Sequence, residues 1–343
     1  MRAKRTQLFF IILLFLSVIA VALALSFGAA GLSQVDSEIF WRVRTPRALL
    51  GFLVGGGLAI AGGVFQTLFR TPLATPFTLG VAGGASLGAA LYLTIFESAV
   101  LSWVGKSGSA FIGALLTVVL LFFFQRMLVG MQSALSLLLI GVMLNFFFSS
   151  LILFLQYIGD FTQVFQISRW MMGSLETIGY ESVWILAFGI GAAFVVTHYY
   201  SRALDLLSFG EEISASRGLN LKQTYIVLLV TLSLSTGLIV AQCGVIGFVG
   251  MIVPYICRMV VGTTHRTILT FSFLLGGIFL VLCDTIGRTI IAPAEIPVGV
   301  ITALLGGPFF LGLLILGSKI ERRALEFSHG NHQDLLRNKL EGC

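Results

Sequence analysis

Of the 343 residues, 57% are hydrophobic and only 10% are charged, whereas a soluble globular domain carries roughly 25% charged residues. Charge this scarce cannot cover a water-facing surface, so a soluble domain is excluded and lipid is the solvent for most of the chain. The formal net charge of +6 therefore belongs to the loops and helix ends.

The chain opens on a basic flank, MRAKRTQ, followed by LFFIILLFLSVIAVALALSF. At about 20 residues this run exceeds the 7–15 residues of a secretory signal core, and it reads as a first membrane span with a cytoplasmic flank. Apolar windows long enough to cross ~30 Å of hydrocarbon lie near 8–27, 48–68, 75–95, 109–125, 134–156, 183–199, 224–242, 245–261, 267–287 and 297–317. The runs are continuous rather than alternating, which argues against a transmembrane barrel. The expectation is an all-α polytopic membrane protein: one domain over 1–343, ten transmembrane helices, and a short cytoplasmic tail at 318–343.

Assigning the loops alternately puts 15 of the 21 basic residues on the inner side, as the positive-inside rule requires. Both termini are then expected in the cytoplasm. The outer stretch 28–46 ends in WRVRTPRALL (41–50), which sets Arg42, Arg44 and Arg47 around Pro46, a proline suited to the first turn of span two. The outer stretch 157–182 is expected to include a short helix. The inner loop 202–223, RALDLLSFGEEISASRGLNLKQ, is polar. Glycines four apart, Gly51/Gly55 and Gly80/Gly84/Gly88, predict close helix contacts.

Chemical motifs are sparse. VGKSGS (104–109) lacks the earlier glycine of a phosphate loop, since Val100 stands there. The histidines His198, His265, His329 and His332 read as ordinary solvated residues, and Cys243, Cys257 and Cys283 as small buried hydrophobes. No metal site, cofactor or catalytic constellation is expected. Asp284 and Arg288 are four apart on one helix face and serve either as a structural ion pair or, for Arg288, in docking. No charge sits mid-span, which weighs against an ion-coupled secondary transporter without excluding it.

Four ordered blocks carry a resemblance: RTPRALLGFLVGGGLAIAGGVFQTLFRTPLATPFTLGVAGGASLGAAL (44–91), RWMMGSL (169–175), GVIGFVGMIVPYICRMVVGTTHR (244–266) and CDTIGRTIIAPAEIPVGVITALLGGPFF (283–310). Together they resemble the FecCD-type permeases, membrane subunits of type II ABC importers for iron–siderophores, haem and vitamin B12. Thr71 and Tyr255 depart from the family's usual Asn and His. The resemblance implies a non-enzymatic translocation subunit of the bacterial inner membrane, carrying an iron chelate with a ferric siderophore foremost. It also implies a second permease subunit, two cytoplasmic ATP-binding subunits and an extracytoplasmic substrate-binding protein, with no nucleic acid. By matching positions, Arg44, Arg47 and Arg288 are expected to dock the binding protein. Ser214, Ala215, Arg217, Gly218 and Leu219 are expected to couple to the ATPase.

Overall fold

A backbone in lipid has no water to bond, so apolar runs close their amides into helices. A computed structural model describes residues 2–27, 36–96, 105–127, 134–262 and 264–312. Its helices are α1 (Arg2–Ser26), α2 (Ser37–Phe69), α3 (Val81–Leu91), α4 (Gly105–Met127), α5 (Ala134–Ile158) and α6 (Phe161–Met171). They continue with α7 (Glu181–Tyr199), α8 (Ser201–Leu207), α9 (Glu211–Ser216), α10 (Leu221–Cys243), α11 (Val249–Val261), α12 (His265–Thr289) and α13 (Val298–Gly312). The described residues contain no strand. Two compact units result, Met1–Thr302 and Ala303–Cys343, the second described as helix through Gly312. The tail 318–343, with Cys343, His329 and His332, lies outside the described residues.

A helix lies over each of the ten apolar windows. Seven of these helices, α1, α2, α4, α5, α7, α10 and α12, are long and apolar enough to cross a bilayer; α3, α11 and α13 are shorter. The shortening has local causes. Pro76 keeps Thr75 out of helical geometry, and Thr75 and Thr78 exchange hydroxyl and backbone bonds instead, so residues 76–80 are turns and α3 starts at Val81. Thr71 works in the same segment, its hydroxyl accepting from Leu73 N at 3.4 Å. Before α11, Gly244 (φ +70) and the non-glycine Phe248 (φ +67) both adopt left-handed backbone. The 13 residues of α11 rise only about 20 Å.

Two prolines free carbonyls inside helices, and each carbonyl finds another donor. Pro46 has no N–H for Arg42 O; Gly179 N donates to that oxygen at 2.8 Å. Pro46 does fall in the first turn of the regular segment Thr45–Phe69, but the chain before it is helical too, with a π-type stretch at Phe40–Arg44. Pro254, inside α11, likewise has no N–H for Gly250 O. There the buried Gln66 amide donates to Gly250 O at 3.2 Å and to Met251 O at 3.1 Å.

At the centre stands α2. Its most apolar window is 83% buried within the protein against 17% for α1, which makes α2 an interior helix and α1 a peripheral one. One core cluster joins the end of α2 to α3, α4, α5 and α10; another joins its middle to α7, α11 and α12. Glycine permits the approach. A Cβ at Gly55 would fall on the carbonyl of Gly276, and one at Gly62 on the carbonyl of Gly250, so α2 touches α12 and α11 backbone to backbone. Gly84 and Gly88 do the same for α3 against Gly113 and Ser109 of α4. Of the expected glycines, Gly55, Gly84 and Gly88 thus make backbone contacts, whereas the Gly62–Gly250 contact lies outside the four-apart pattern.

Candidate functional site

Two polar constellations occupy opposite ends of α2. The first collects the arginines expected at a docking face. Arg47 on α2 reaches Asp284 of α12 with Nη2 2.9 Å from Oδ1 and Nε 3.2 Å from both carboxylate oxygens. Its Nη1 donates to Glu295 at 2.8 Å. Arg288 Nε lies 3.0 Å from Asp284 Oδ2, so one carboxylate sits between two guanidinium groups.

The remaining contacts belong to α1. Arg44 Nη1 donates to Leu25 O at 3.2 Å and Arg288 Nη2 to Ala24 O at 3.3 Å. These carbonyls close the last turn of α1, where intrahelical donors run out and the dipole is negative. The cluster therefore ties α1, α2, α12 and the 290–297 loop together.

The three expected docking residues are consequently interior. Arg44 is 7% and Arg288 5% exposed, and the Arg47 side chain is 11% exposed, whereas its partner Glu295 is 37% exposed. Arg42, by contrast, stands in solvent beside Glu38 at 3.2 Å, an i,i+4 pair of the kind that adds little stability. The sequence showed the four-residue spacing of Asp284 and Arg288 but not that Arg47 completes the group from 237 residues away.

Beside this cluster opens a cavity of about 600 Å³. Arg47 and Glu295 form part of its wall together with Phe165, Arg169 and Met172 of α6 and its end, and Glu176. Arg169 pairs with Glu176 at 3.0 Å. The helix α6 is the short one expected within 157–182. It begins at a reciprocal cap in which Asp160 accepts from Gln163 N at 2.8 Å and the Gln163 side chain accepts from Asp160 N at 3.1 Å, a capping box.

The second constellation is the polar loop expected to couple, which folds as α8, a turn at Gly210 (φ +130), α9, and a return through Gly218 (φ +81). Ala215, Arg217 and Gly218 are exposed and Leu219 is half-buried. Ser214 differs from them: it is fully buried, and its hydroxyl donates to Gly210 O at 2.6 Å. Two residues passed over in the sequence project outward, Phe209 at 69% and Ile213 at 46% exposed. They stand on either side of Gly210, Phe209 in the turn before α9 and Ile213 within the helix.

Two histidines are not solvated as expected. His265 is 4% exposed and bonds Asp205 and Thr67. His198 stacks on Phe194 and lies 3.0 Å from Thr270 Oγ1. Their signal in the sequence was position: each ends or starts a span, where a polar ring has helix-terminal groups to bond.

Comparison with known proteins gives one consistent family. The sequence profile of the FecCD transport family matches residues 7–316. The chain is 35% identical over 316 residues to the hemin transport system permease protein HmuU of Yersinia pestis, covering 88% of this chain and 94% of that one. It is 37% identical over 296 residues to a cobalamin import system permease protein of Halobacterium salinarum, covering 86% and 78%. Among solved structures, an inward-facing metal-chelate type ABC transporter superposes with a TM-score of 0.80 at 33% identity, covering 92% of this chain and 99% of that one.

Proposed function

The chain belongs to the FecCD transport family, as an ABC importer permease rather than an enzyme, and we propose that its cargo is an iron chelate, foremost a ferric siderophore. The likeness to a metal-chelate transporter over 99% of that chain is the observation that carries this reading. Haem is the second reading, supported by the hemin permease relative. ATP hydrolysis then resides on separate ATP-binding subunits, and a binding protein delivers cargo to a pair of permease subunits. A strain lacking this gene, offered haem or single siderophores as sole iron source, should fail to grow on the ferric siderophore and grow normally on haem. Failure on haem alone would replace the first reading with the second.

The reading also orients the molecule. Ten crossings with both termini in the cytoplasm place the Arg47 end of α2 and the 600 Å³ cavity outside, and α8–α9 inside. Docking of the binding protein falls to Arg44, Arg47 and Arg288. Because these guanidiniums are already paired, an incoming carboxylate would replace Glu295, the most exposed acid of the group, and exchange one ion pair for another. Such exchange suits a partner that docks and leaves. Arg44→Glu with Arg47→Glu should reduce binding-protein association about a hundredfold, in line with ~2–5 kcal/mol for truncating a buried charge pair; the protein should still insert but with a lowered unfolding midpoint, because a carboxylate at position 47 would face Asp284 and Glu295. Unchanged association of the purified double variant would remove the arginines from the docking site.

On the inner face, Ala215, Arg217, Gly218 and Leu219 contact the ATP-binding subunit, joined by Phe209 and Ile213. Ser214 supports them from the buried side of α9. A short exposed helix between two glycine hinges suits transmission of subunit closure as rigid-body movement.

A further inference from the structure

The helix α9 has little packing to hold it. Ser214 is its one buried residue, so polar bonds must fix its position. Two sets of such bonds run from the α8–α9 segment to consecutive residues, Thr67 and Leu68, at the end of α2.

The first set starts at Asp205 on α8. Its Oδ1 accepts from the His265 backbone N at 2.8 Å and from the ring Nδ1 at 2.7 Å. Asp205 thereby caps the N-terminus of α12 from another helix, where a carboxylate is favoured. With Nδ1 facing that carboxylate, the ring's other nitrogen, Nε2, lies 2.8 Å from Thr67 Oγ1. Arg258 of α11 closes the set, donating to Thr67 Oγ1 at 3.1 Å and Gly63 O at 2.8 Å. The second set starts at Glu211, the first residue of α9. Tyr225 OH lies 3.0 Å from Glu211 Oε1 and 3.0 Å from Leu68 O. A phenol has one hydrogen to give, so at any instant it serves α9 or α2.

We propose that Asp205–His265–Thr67 and Glu211–Tyr225–Leu68 form a double clamp that makes the α8–α9 segment one rigid body with α2, α11 and α12. This rests on the reading that α9 meets the ATP-binding subunit. The glycine contacts Gly55–Gly276 and Gly62–Gly250 leave α2 no freedom to slide on α11 or α12, so movement entering at α9 leaves at the Arg47 end of the same helix. The five side chains, of Asp205, His265, Thr67, Glu211 and Tyr225, are positioning residues: they touch no cargo and transmit displacement. The Tyr225 bond is the adjustable one, because its hydrogen can pass between two acceptors without breaking the Asp205 set.

The test uses the permease assembled with its ATP-binding subunits in nanodiscs. Nitroxides are placed by Trp41→Cys in the first turns of α2 and Glu212→Cys in α9, with Cys343→Ser removing the terminal thiol. In the otherwise wild-type complex, the distance distribution from double electron–electron resonance should keep its mean and width when ATP and vanadate are added. With Asp205→Ala and Tyr225→Phe combined, it should broaden on nucleotide. Stimulation of ATPase by the binding protein should fall about tenfold, the worth of one charge-assisted hydrogen bond, while the basal rate stays within about twofold. Asp205→Asn, which keeps an acceptor for His265, should restore most of the stimulation. Unchanged width and stimulation in the double variant would overturn the proposal. So would loss of the ATP-binding subunits on purification, which would assign the residues to assembly. Arg217→Glu separates the two levels: if this variant keeps wild-type assembly and stimulation, the coupling role of α9 itself fails, whatever the clamp variants do.

Discussion

Asp284→Ala destabilises the protein by about 3–5 kcal/mol, read as a lower unfolding midpoint of the detergent-solubilised chain. The carboxylate is 6% exposed and stands between Arg47 and Arg288, 11% and 6% exposed. Without it, the acceptors left to the two interior guanidiniums among the described residues are Glu295 and the Ala24 carbonyl of α1. Uncompensated buried charge is far costlier than a missing ion pair, because replacing a whole buried group by apolar side chains is often neutral. The matched variant Arg47→Met/Asp284→Leu/Arg288→Met should therefore recover most of the loss. If Asp284→Ala unfolds at the wild-type midpoint, the cluster is solvated in the membrane and contributes little. If the triple variant is as unstable as the single one, the arginines' bonds to α1, rather than their charge balance, carry the stability.

Gly62→Val should abolish folded protein, with a cost of about 3 kcal/mol or more, the upper range of overpacking. The added Cβ would land on the Gly250 carbonyl, and both neighbours are backbone, so no rotamer change relieves it. Parting α2 from α11 would also break the Gln66 bonds to Gly250 O and Met251 O, which compensate for Pro254. Gly191→Ala is the control, since a Cβ there meets nothing within 4 Å. Size-exclusion profiles of the two variants check this: a monodisperse Gly62→Val protein with a wild-type midpoint would mean the helices separate at little cost.

Both results depend on contacts between distant parts of the chain, which marks where sequence reasoning stopped. Helix positions were readable because lipid leaves the backbone one solution and apolar length reports it. The family was readable from four ordered blocks. The lead-in Ser37–Arg44 was not, since its polar composition resembles a loop and its helix is held partly by a bond from Gly179 to Arg42 O. Nor was the shortness of α11, because the left-handed Phe248 leaves no compositional trace. Arg44, Arg47 and Arg288 were found by resemblance, but their burial, and the part of Asp284 in it, follow only from the fold. Ser214 belonged to the right loop yet faces inward, as one polar residue on a six-residue helix must when the chain reverses on both sides. The histidines were misjudged for a related reason: a polar ring at a span end has partners only once other helices arrive.

That last point governs α2 most of all. It enters the membrane early in synthesis, with Arg47 at one end, while Asp284 is 237 residues further along. At translation rates of roughly 5–20 residues per second, this leaves the guanidinium waiting on the order of 10–50 s for its carboxylate. During that interval the most deeply enclosed helix lacks Gly250 and Gly276, the partners of its glycine face. The permease thus acquires its innermost helix second and much of that helix's enclosure last, when α11 and α12 are translated.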